Sequence, residues 1–391
     1  MMRRHTDGVV ITGVGFGTLG RDTGRTEGQL AVEACREAIA DAGLSREDID
    51  GLSATGQQSS PPTSFQNPAL SYVQRSLALS NLRLAEFTGG SSGHFGCAFL
   101  VASAILAGTC EHALIYRAHK RQNQRLLPNL AVRDIAWHED AFTMPYGAGG
   151  GAPRLAMWAA RYMYEYGTSP NELAAVVCTA REHGSTNPRA YWQNPITVEE
   201  YLASPWIAPP FRILDCDYPI DGAVALVLSS REAAERLERK PVYVESIGHG
   251  GGPDLSWLGW RDLTAMASAQ ASRNLWNGTE LTHEDVNFVE PYDGFSWLAL
   301  CWMEDLGFVP KGSGGEFFEK GHGRLGGTLP VLTDGGQLGM GRLHGMGKLA
   351  QAVLQLRGEA GANQVAGARV GIACAGGGPS AGAILLTSDP V

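Results

Sequence analysis

Residues 43–56 read GLSREDIDGLSATG, and residues 280–294 read ELTHEDVNFVEPYDG. The two stretches can be laid over one another, and each joins a helix-like segment to a strand-like run. The first is preceded by GVVITGVGFG at 8–17 and the second by PVYVESIGHGGG at 241–252, both of which are typical of strands. Because the order strand, helix, strand occurs twice, we predict an α/β fold with two duplicated halves rather than a solenoid.

Each half then continues into a strand, a glycine-rich turn and a helix of small residues, at 84–108 and again at 332–356. We therefore predict an N-terminal half at 1–235 and a C-terminal half at 240–391, with the active site where the glycine-rich turns meet. Residues from about 118 to 210 are irregular and rich in Pro, Trp, Tyr and Arg. Long loops in compact enzymes are usually functional, so this segment is expected to be a loop domain inserted over the site, or else an oligomer surface.

Composition excludes several classes of protein. The chain has 391 residues with a formal charge of −9, which leaves no basic surface for nucleic acid. Apolar runs fall short of the roughly 20 residues that span a membrane, and no signal peptide is apparent at the N-terminus. The seven cysteines are scattered, which disfavours a zinc site or a disulfide framework. We expect a cytoplasmic enzyme.

Two glycine motifs allow alternative interpretations. Gly15, Gly17 and Gly20 satisfy GxGxxG after a strand, which is either a dinucleotide-binding turn or a tight turn. The glycines of GxSxG at 89–93 flank Ser91, which a hydrolase would use as its nucleophile with His344 as the base. These glycines otherwise allow close approach of the backbone to a ligand or a helix.

Six segments carry a more specific signal when they are taken together. They are TGGSSGHFGCA (88–98), LAAVVCTAREHGSTNPRAYW (173–192), FRILDCDYPIDGAVALVL (211–228), VEPYDGF (289–295), GGQLGMGRLHGMG (335–347) and CAGGGPSAGA (374–383). In order and spacing they resemble the thiolase superfamily, particularly its sterol-carrier and lipid-transfer-protein branch, over nearly the whole chain. The resemblance implies a thiolase fold with αβαβα layers and a twofold homodimer.

The departures from the thiolase pattern decide the expected chemistry. Gly90 occupies the position of the acylating cysteine, Tyr292 that of a histidine, and Arg342 with Leu343 that of a histidine–proline pair. Of the family's catalytic groups, only the last cysteine, Cys374, is kept. A thiolase needs a thiolate to take up the acyl group, so ordinary thiolysis is excluded.

The resemblance to lipid-transfer-protein aldolases, which shorten steroid side chains, implies retro-aldol cleavage of a β-hydroxyacyl-CoA without a covalent intermediate. Amides of Gly90 and Gly376 would form the oxyanion hole. Tyr292 would transfer the proton, helped by Arg342 as a stabilising cation and by a second group as a relay. The remaining candidates are His344 as the relay, the retained Cys374, Asp293 as a residue that orients a loop, and Met346, where the aldolases tend to carry an aromatic residue, often tyrosine.

The expected substrate is a 17-hydroxy steroid side-chain CoA thioester, cleaved to a 17-ketosteroid and propionyl-CoA. Coenzyme A enters as part of that substrate, and we expect neither a metal nor another cofactor on this chain. The resemblance also implies a small partner of the DUF35 type, with a zinc ribbon and an oligonucleotide-binding fold. A non-catalytic lipid or acyl-CoA binding protein and a Ser91 hydrolase remain as alternatives.

Overall fold

The computed structural model describes residue 6 and residues 8–55, 67–89, 95–121, 141–148, 151–257 and 259–391. The strands in these ranges are β1 (Val9–Phe16), β2 (Gly51–Thr55), β3 (Leu84–Thr88), β4 (His112–His119), β5 (Trp206–Ala208), β6 (Phe211–Arg212), β7 (Gly222–Ser230), β8 (Val242–Gly250), β9 (Phe288–Glu290), β10 (Val370–Gly377) and β11 (Ser380–Thr387). The helices are α1 (Glu27–Asp41), α2 (Leu70–Leu77), α3 (Gly96–Leu106), α4 (Gly151–Tyr166), α5 (Pro170–Thr186), α6 (Val198–Ala203), α7 (Arg231–Ala234), α8 (Ala267–Asn277), α9 (Ser296–Asp305), α10 (Gly314–Glu319), α11 (Gly336–Gly339) and α12 (Gly345–Arg357).

Nine strands form one sheet in the order β3-β2-β4-β7-β1-β8-β11-β10-β9. Two sets of strands join at a short antiparallel seam between β1 and β8, where Val10 pairs with Tyr243 and Ile11 with Val242. Outward from the seam, β1-β7-β4-β2 and β8-β11-β10-β9 repeat one arrangement. The predicted α/β fold with two duplicated sets of elements is confirmed, whereas the boundaries at 235 and 240 stay a prediction.

Helices cover the sheet in layers. Helix α1 packs on β1, β4 and β7, and α8 packs on β8 and β11. Helix α12 contacts strands from both sets, including β7 and β10, so it lies where the two sets meet. Within the described ranges, no helix is both long enough and apolar enough to cross a bilayer.

Helix α1 shows why the opening glycines are needed. Thr26 caps the helix in a capping box with Gln29. A Cβ at Gly15 would lie 2.2 Å from the carbonyl oxygen of Ala34, and one at Gly17 would lie 2.5 Å from that of Leu30. These two glycines of the GxGxxG motif therefore let α1 lie directly against β1, and this packing explains them without a nucleotide.

The expectation of an irregular segment at 118–210 is wrong for much of its length. Helices α4, α5 and α6 occupy the described part, and α5 buries Leu173 and Val177 in the main core. Ser169 with Glu172 closes a capping box at the start of α5, and Thr197 with Glu200 does so at α6. These local signals outweigh the aromatic and proline-rich composition, which hides the helical periodicity.

Candidate functional site

The candidate residues lie at the ends of neighbouring elements of the C-terminal set. Tyr292 follows β9, Arg342 and His344 lie in the turn between α11 and α12, and Gly376 lies near the end of β10. Strands β9 and β10 are parallel neighbours, so their carboxyl ends, including Gly376 as the penultimate residue of β10, lie at the same end of the sheet. The structure thus brings three of the predicted segments together. Gly90 and Ser91 lie outside the described residues.

Tyr292 is almost fully buried at 9% exposure. Burial raises the pKa of its phenol, as does the charge of Asp217, while Gln337 and Arg342 act in the opposite direction. A Cβ on Gly294 would lie 2.7 Å from the Tyr292 ring, so a glycine there leaves room for the ring. The phenol is therefore protonated at neutral pH, and it needs a separate group to take its proton.

The charge of Asp217 acts on this phenol, although sequence reasoning did not single Asp217 out. Arg342 Nη1 lies 3.4 Å from Asp217 Oδ1, and both side chains are largely buried. The backbone N–H of Asp217 donates to the Gly294 carbonyl at 3.1 Å, and that of Arg342 donates to the Tyr218 carbonyl at 2.8 Å. Burial raises the pKa of Asp217 to about 6 against the opposing charge of Arg342. The carboxylate is thus a stronger base than an ordinary aspartate.

His344 has a strained backbone, with φ +54° and ψ −161° immediately before α12. A residue other than glycine in such a sparsely populated region costs about 1–3 kcal/mol, and such residues cluster at functional sites. The His344 side chain does not cap the helix. Its Nδ1 instead accepts a hydrogen bond from Arg117 Nε at 3.1 Å. The proton of a neutral imidazole must then be on Nε2, which makes His344 a hydrogen-bond donor on that side.

Arg117 and His119 form the wall behind His344, and both project from β4. The His119 ring meets the His344 ring edge to face, with 5.7 Å between centroids. Burial, followed by the charge of Arg342, lowers the pKa of His119 to about 3, so this imidazole is neutral. Arg117 is fully buried, and burial lowers its pKa to about 10 against the charge of Glu27. The sequence analysis missed this buried arginine.

Asp293 is part of a buried ionic cluster around Lys348. Lys348 Nζ lies 2.8 Å from Asp293 Oδ1 and 4.0 Å from a carboxylate oxygen of both Glu290 and Asp334. Asp293 Oδ2 also accepts the N–H of Leu338 at 3.2 Å, so it holds helix α11 in place. Burial raises the pKa of Glu290 to about 8 and, next in size, the charge of Asp334 acts in the same direction. Lys348 was not identified from the sequence.

The remaining candidates differ in what they offer to a ligand. Cys374 and Met346 are fully buried, and burial raises the pKa of the Cys374 thiol well above its ordinary value. Cys374 is therefore a neutral thiol in the core of β10. Gly376 has φ +79°, and its carbonyl oxygen accepts from Trp302 Nε1 at 2.9 Å, which fixes the backbone of the predicted amide donor.

The bond between Arg117 and His344 argues against a serine hydrolase. In a Ser-His-Asp triad the histidine donates its Nδ1–H to a carboxylate, which stabilises the imidazolium. In this chain Nδ1 accepts from a guanidinium. A cation at that nitrogen disfavours the protonated imidazole that acyl transfer requires.

A groove of about 720 Å³ opens next to the site. Its wall includes Ile220, whose carbonyl oxygen is hydrogen-bonded to His119 Nδ1 at 2.8 Å, and Met340, two residues before Arg342. The other lining residues are Phe16, Gly17, Leu19, Gly20, Glu37, Pro188, Arg189, Ala190, Tyr191, Trp192, Gln193 and Asn194. Aromatic rings and a cationic side chain are therefore available to a bulky ligand that reaches the site.

Comparison with known proteins places the chain in a family. Residues 255–387 match the family described as thiolase C-terminal domain-like. The chain is 35% identical to the 17-hydroxy-3-oxo-4-pregnene-20-carboxyl-CoA lyase of Mycobacterium tuberculosis, over 96% of this chain and 98% of the lyase. It is 34% identical to the steroid side-chain-cleaving aldolase of Thermomonospora curvata, over 89% of this chain and 90% of that aldolase.

A solved structure agrees with these relatives. The Ltp2-ChsH2(DUF35) aldolase superimposes with a TM-score of 0.88 at 32% identity, covering 99% of this chain and all of the matched chain. The chain therefore belongs to the thiolase superfamily, in the lipid-transfer-protein branch that contains the steroid side-chain-cleaving aldolases.

Proposed function

We propose that this protein is an acyl-CoA retro-aldolase. Its substrate is a β-hydroxyacyl-CoA, specifically a 17-hydroxy steroid side-chain CoA thioester, and its products are a 17-ketosteroid and propionyl-CoA. The observation that carries the proposal is the buried group of Tyr292, Asp217 and Arg342, which stands where thiolases use histidine chemistry. The similarity to the lyase and the aldolase over most of the chain supports the same reaction.

The proposed reaction needs no covalent acyl-enzyme. A proton leaves the β-hydroxyl, the bond between the α and β carbons breaks, and its electron pair enters the thioester enolate. The amides of Gly90 and Gly376 hold the enolate oxygen, because preorganised N–H donors stabilise charge as it develops. Protonation of the α carbon then completes propionyl-CoA. Tyr292 is the proposed proton-transfer group, and His344 donates from Nε2.

The site contains features that lower the stability of the fold, and these favour catalysis over simple ligand binding. A strained histidine, a fully buried arginine and a buried carboxylate with a raised pKa each reduce stability, and such features cluster at functional sites. Apolar contacts would suffice for a lipid carrier. In this proposal Cys374 packs the core. Because Met346 carries no phenol, proton transfer is assigned to Tyr292, in the loop after β9, and to His344, in the late glycine block.

The proposed assembly is a homodimer that also binds a small DUF35-type partner. Strand β3 forms one edge of the large sheet and exposes Ala85 and Glu86, which makes it available for pairing. The DUF35 component of the matched aldolase supports a similar partner for this chain. We also propose a cytoplasmic location, since all seven cysteines are free thiols, and no resident cofactor or metal besides substrate-borne coenzyme A.

A turnover assay tests the function. The full chain, alone and with the DUF35-type partner, is incubated with a 17-hydroxy steroid side-chain CoA thioester, and products are followed by mass spectrometry. We expect equal amounts of 17-ketosteroid and propionyl-CoA, with Tyr292→Phe reducing kcat at least about 100-fold because a proton-transfer group is lost.

Other outcomes would identify the alternatives. Substrate binding without turnover in either preparation would favour a lipid or acyl-CoA binding protein. Release of free coenzyme A with labelling by a fluorophosphonate, lost in Ser91→Ala, would favour the hydrolase. The retro-aldolase is expected to be indifferent to both the fluorophosphonate and Ser91→Ala.

A further inference from the structure

We propose that Asp217 is the acceptor that takes the substrate's proton through Tyr292, with Arg342 as its counter-ion. This inference rests on the proposed function and names the group that makes a buried phenol usable as a base. Asp217 acts through Tyr292, so it is a positioning and proton-holding residue rather than one that touches the substrate.

The position of Asp217 is fixed from three directions. Its own N–H donates to the Gly294 carbonyl at 3.1 Å, in the loop that carries Tyr292. The next residue, Tyr218, donates its N–H to the Gln337 carbonyl and accepts the N–H of Arg342. The segment is thus attached to the loop after β9, to α11 and to the turn before α12. These are the elements that carry the candidate site.

The charges around Asp217 are suited to a proton holder. Burial and, to a smaller extent, the charge of Asp293 favour its protonated form, whereas Arg342 Nη1 at 3.4 Å stabilises the carboxylate. Burial raises the pKa of the neighbouring Cys216 thiol, and the charge of Asp217 acts in the same direction. Gln337 and the charge of Arg342 lower the pKa of the Tyr292 phenol, whereas the charge of this carboxylate raises it. Opposing influences of this kind keep both protonation states of Asp217 accessible near neutral pH.

The proton movements balance. The Tyr292 oxygen takes the proton of the substrate β-hydroxyl while the phenolic proton passes to Asp217. The bond between the α and β carbons breaks, the β carbon becomes the ketone carbon, and the electron pair enters the thioester enolate. Return of the proton from Asp217 through Tyr292 to the α carbon forms propionyl-CoA and restores the carboxylate. No oxidant, reductant or further reactant is needed.

The test compares pH profiles of kcat for the full chain with its partner. The wild-type profile is expected to fall on its acid side near pH 6, because Asp217 must be deprotonated to accept the proton. Asp217→Asn is expected to lower kcat at least about 100-fold and to abolish that acid limb. Asp217→Glu restores a carboxylate and should recover part of kcat together with the limb. Asp285→Asn, an exposed aspartate on the turn before β9, is the matched control and should leave the profile unchanged.

Two further measurements keep the result decisive. Binding of a saturated acyl-CoA without the β-hydroxyl reports whether Asp217→Asn still folds and takes up ligand. Arg342→Met removes the cation that lowers the pKa of Asp217, so the acid limb should move to higher pH. A kcat within about threefold of wild type in Asp217→Asn, or an acid limb unmoved in Arg342→Met, would overturn the inference. Absence of cleavage by the wild type would instead overturn the proposed function.

Discussion

Arg117 Nε donates to His344 Nδ1 at 3.1 Å, although the two residues lie 227 positions apart in the chain. One residue comes from the middle of a strand in the N-terminal set, and the other from the turn before α12. The bond fixes the tautomer of the histidine and the plane of its ring. It therefore aims the Nε2–H at a defined point, which is the requirement for a donor in a preorganised site.

The Arg117–His344 bond predicts coupled effects on catalysis. Arg117→Met should reduce kcat/KM about 10- to 100-fold, because His344 then loses the donor that sets its tautomer. His344→Gln should cause a similar loss. The double variant should be little worse than the more severe single variant, since residues that share one network are not additive. Losses that simply multiply in this cycle would contradict the coupling.

Because three buried carboxylates surround Lys348, we expect the stability of the protein to depend strongly on the charge of this lysine. Lys348→Met should lower the free energy of unfolding by about 3–5 kcal/mol, because it leaves the Asp293 carboxylate buried without its partner. Urea unfolding measures this loss. Lys348→Met combined with Asp293→Asn should be less destabilised than Lys348→Met alone. An equal or greater loss in the double variant would show that the ion pair is not the cause.

The buried carboxyl of Glu290 predicts that stability falls as the pH rises from about 4.5 to about 8. Its pKa in the folded protein is about 8, above the ordinary value of 4.5, so the folded state binds its proton more tightly than the unfolded state. The resulting stabilisation is fully present below about pH 4.5 and is lost as pH rises through about 8. Unfolding between pH 5 and 9 should show this decline in the wild type. Glu290→Gln cannot ionise and should flatten it; an unchanged slope would contradict the assignment.

Two glycines with the same backbone angle allow a matched test of packing at α11. Gly336 and Gly361 both have φ +61°. A Cβ at Gly336 would lie 2.1 Å from Asp293 Oδ2, whereas one at Gly361 meets no atom within 4 Å in the described structure. Gly361→Ala should cost only the backbone strain, about 1 kcal/mol. Gly336→Ala should cost clearly more and should also reduce kcat, because it displaces Asp293 and α11. Equal melting temperatures for the two variants would refute this.

The parts that could be predicted are those encoded by local pattern. Thr26 as a helix cap, the paired halves and the location of Tyr292 all follow from short stretches of sequence. The helices between 151 and 203 were missed because aromatic residues and prolines obscure their periodicity, although the Ser169 and Thr197 capping boxes were readable. An intervening segment can therefore be judged better by its caps than by its composition.

The part of the site that could not be predicted from the sequence depends on contacts between distant segments. Arg117 is a charged residue in the otherwise largely apolar strand HALIYRAH, and Lys348 is one in the buried helix α12. Each is a readable signal, because a lone charge in a buried element must have a partner. The identity of that partner is not encoded nearby. Asp217 is harder still to predict from the sequence, since its position depends on its own backbone bond to Gly294 and on that of Tyr218 to Gln337, far along the chain.

The division of the site between the two sets of elements has an evolutionary consequence. Tyr292, Arg342 and His344 belong to the second copy of the repeated unit, whereas Asp217, Arg117 and His119 belong to the first. A duplicated unit allows each copy to lose groups that the other copy retains. An ancestor with a single unit would have needed two molecules, facing one another, to assemble an equivalent set of groups.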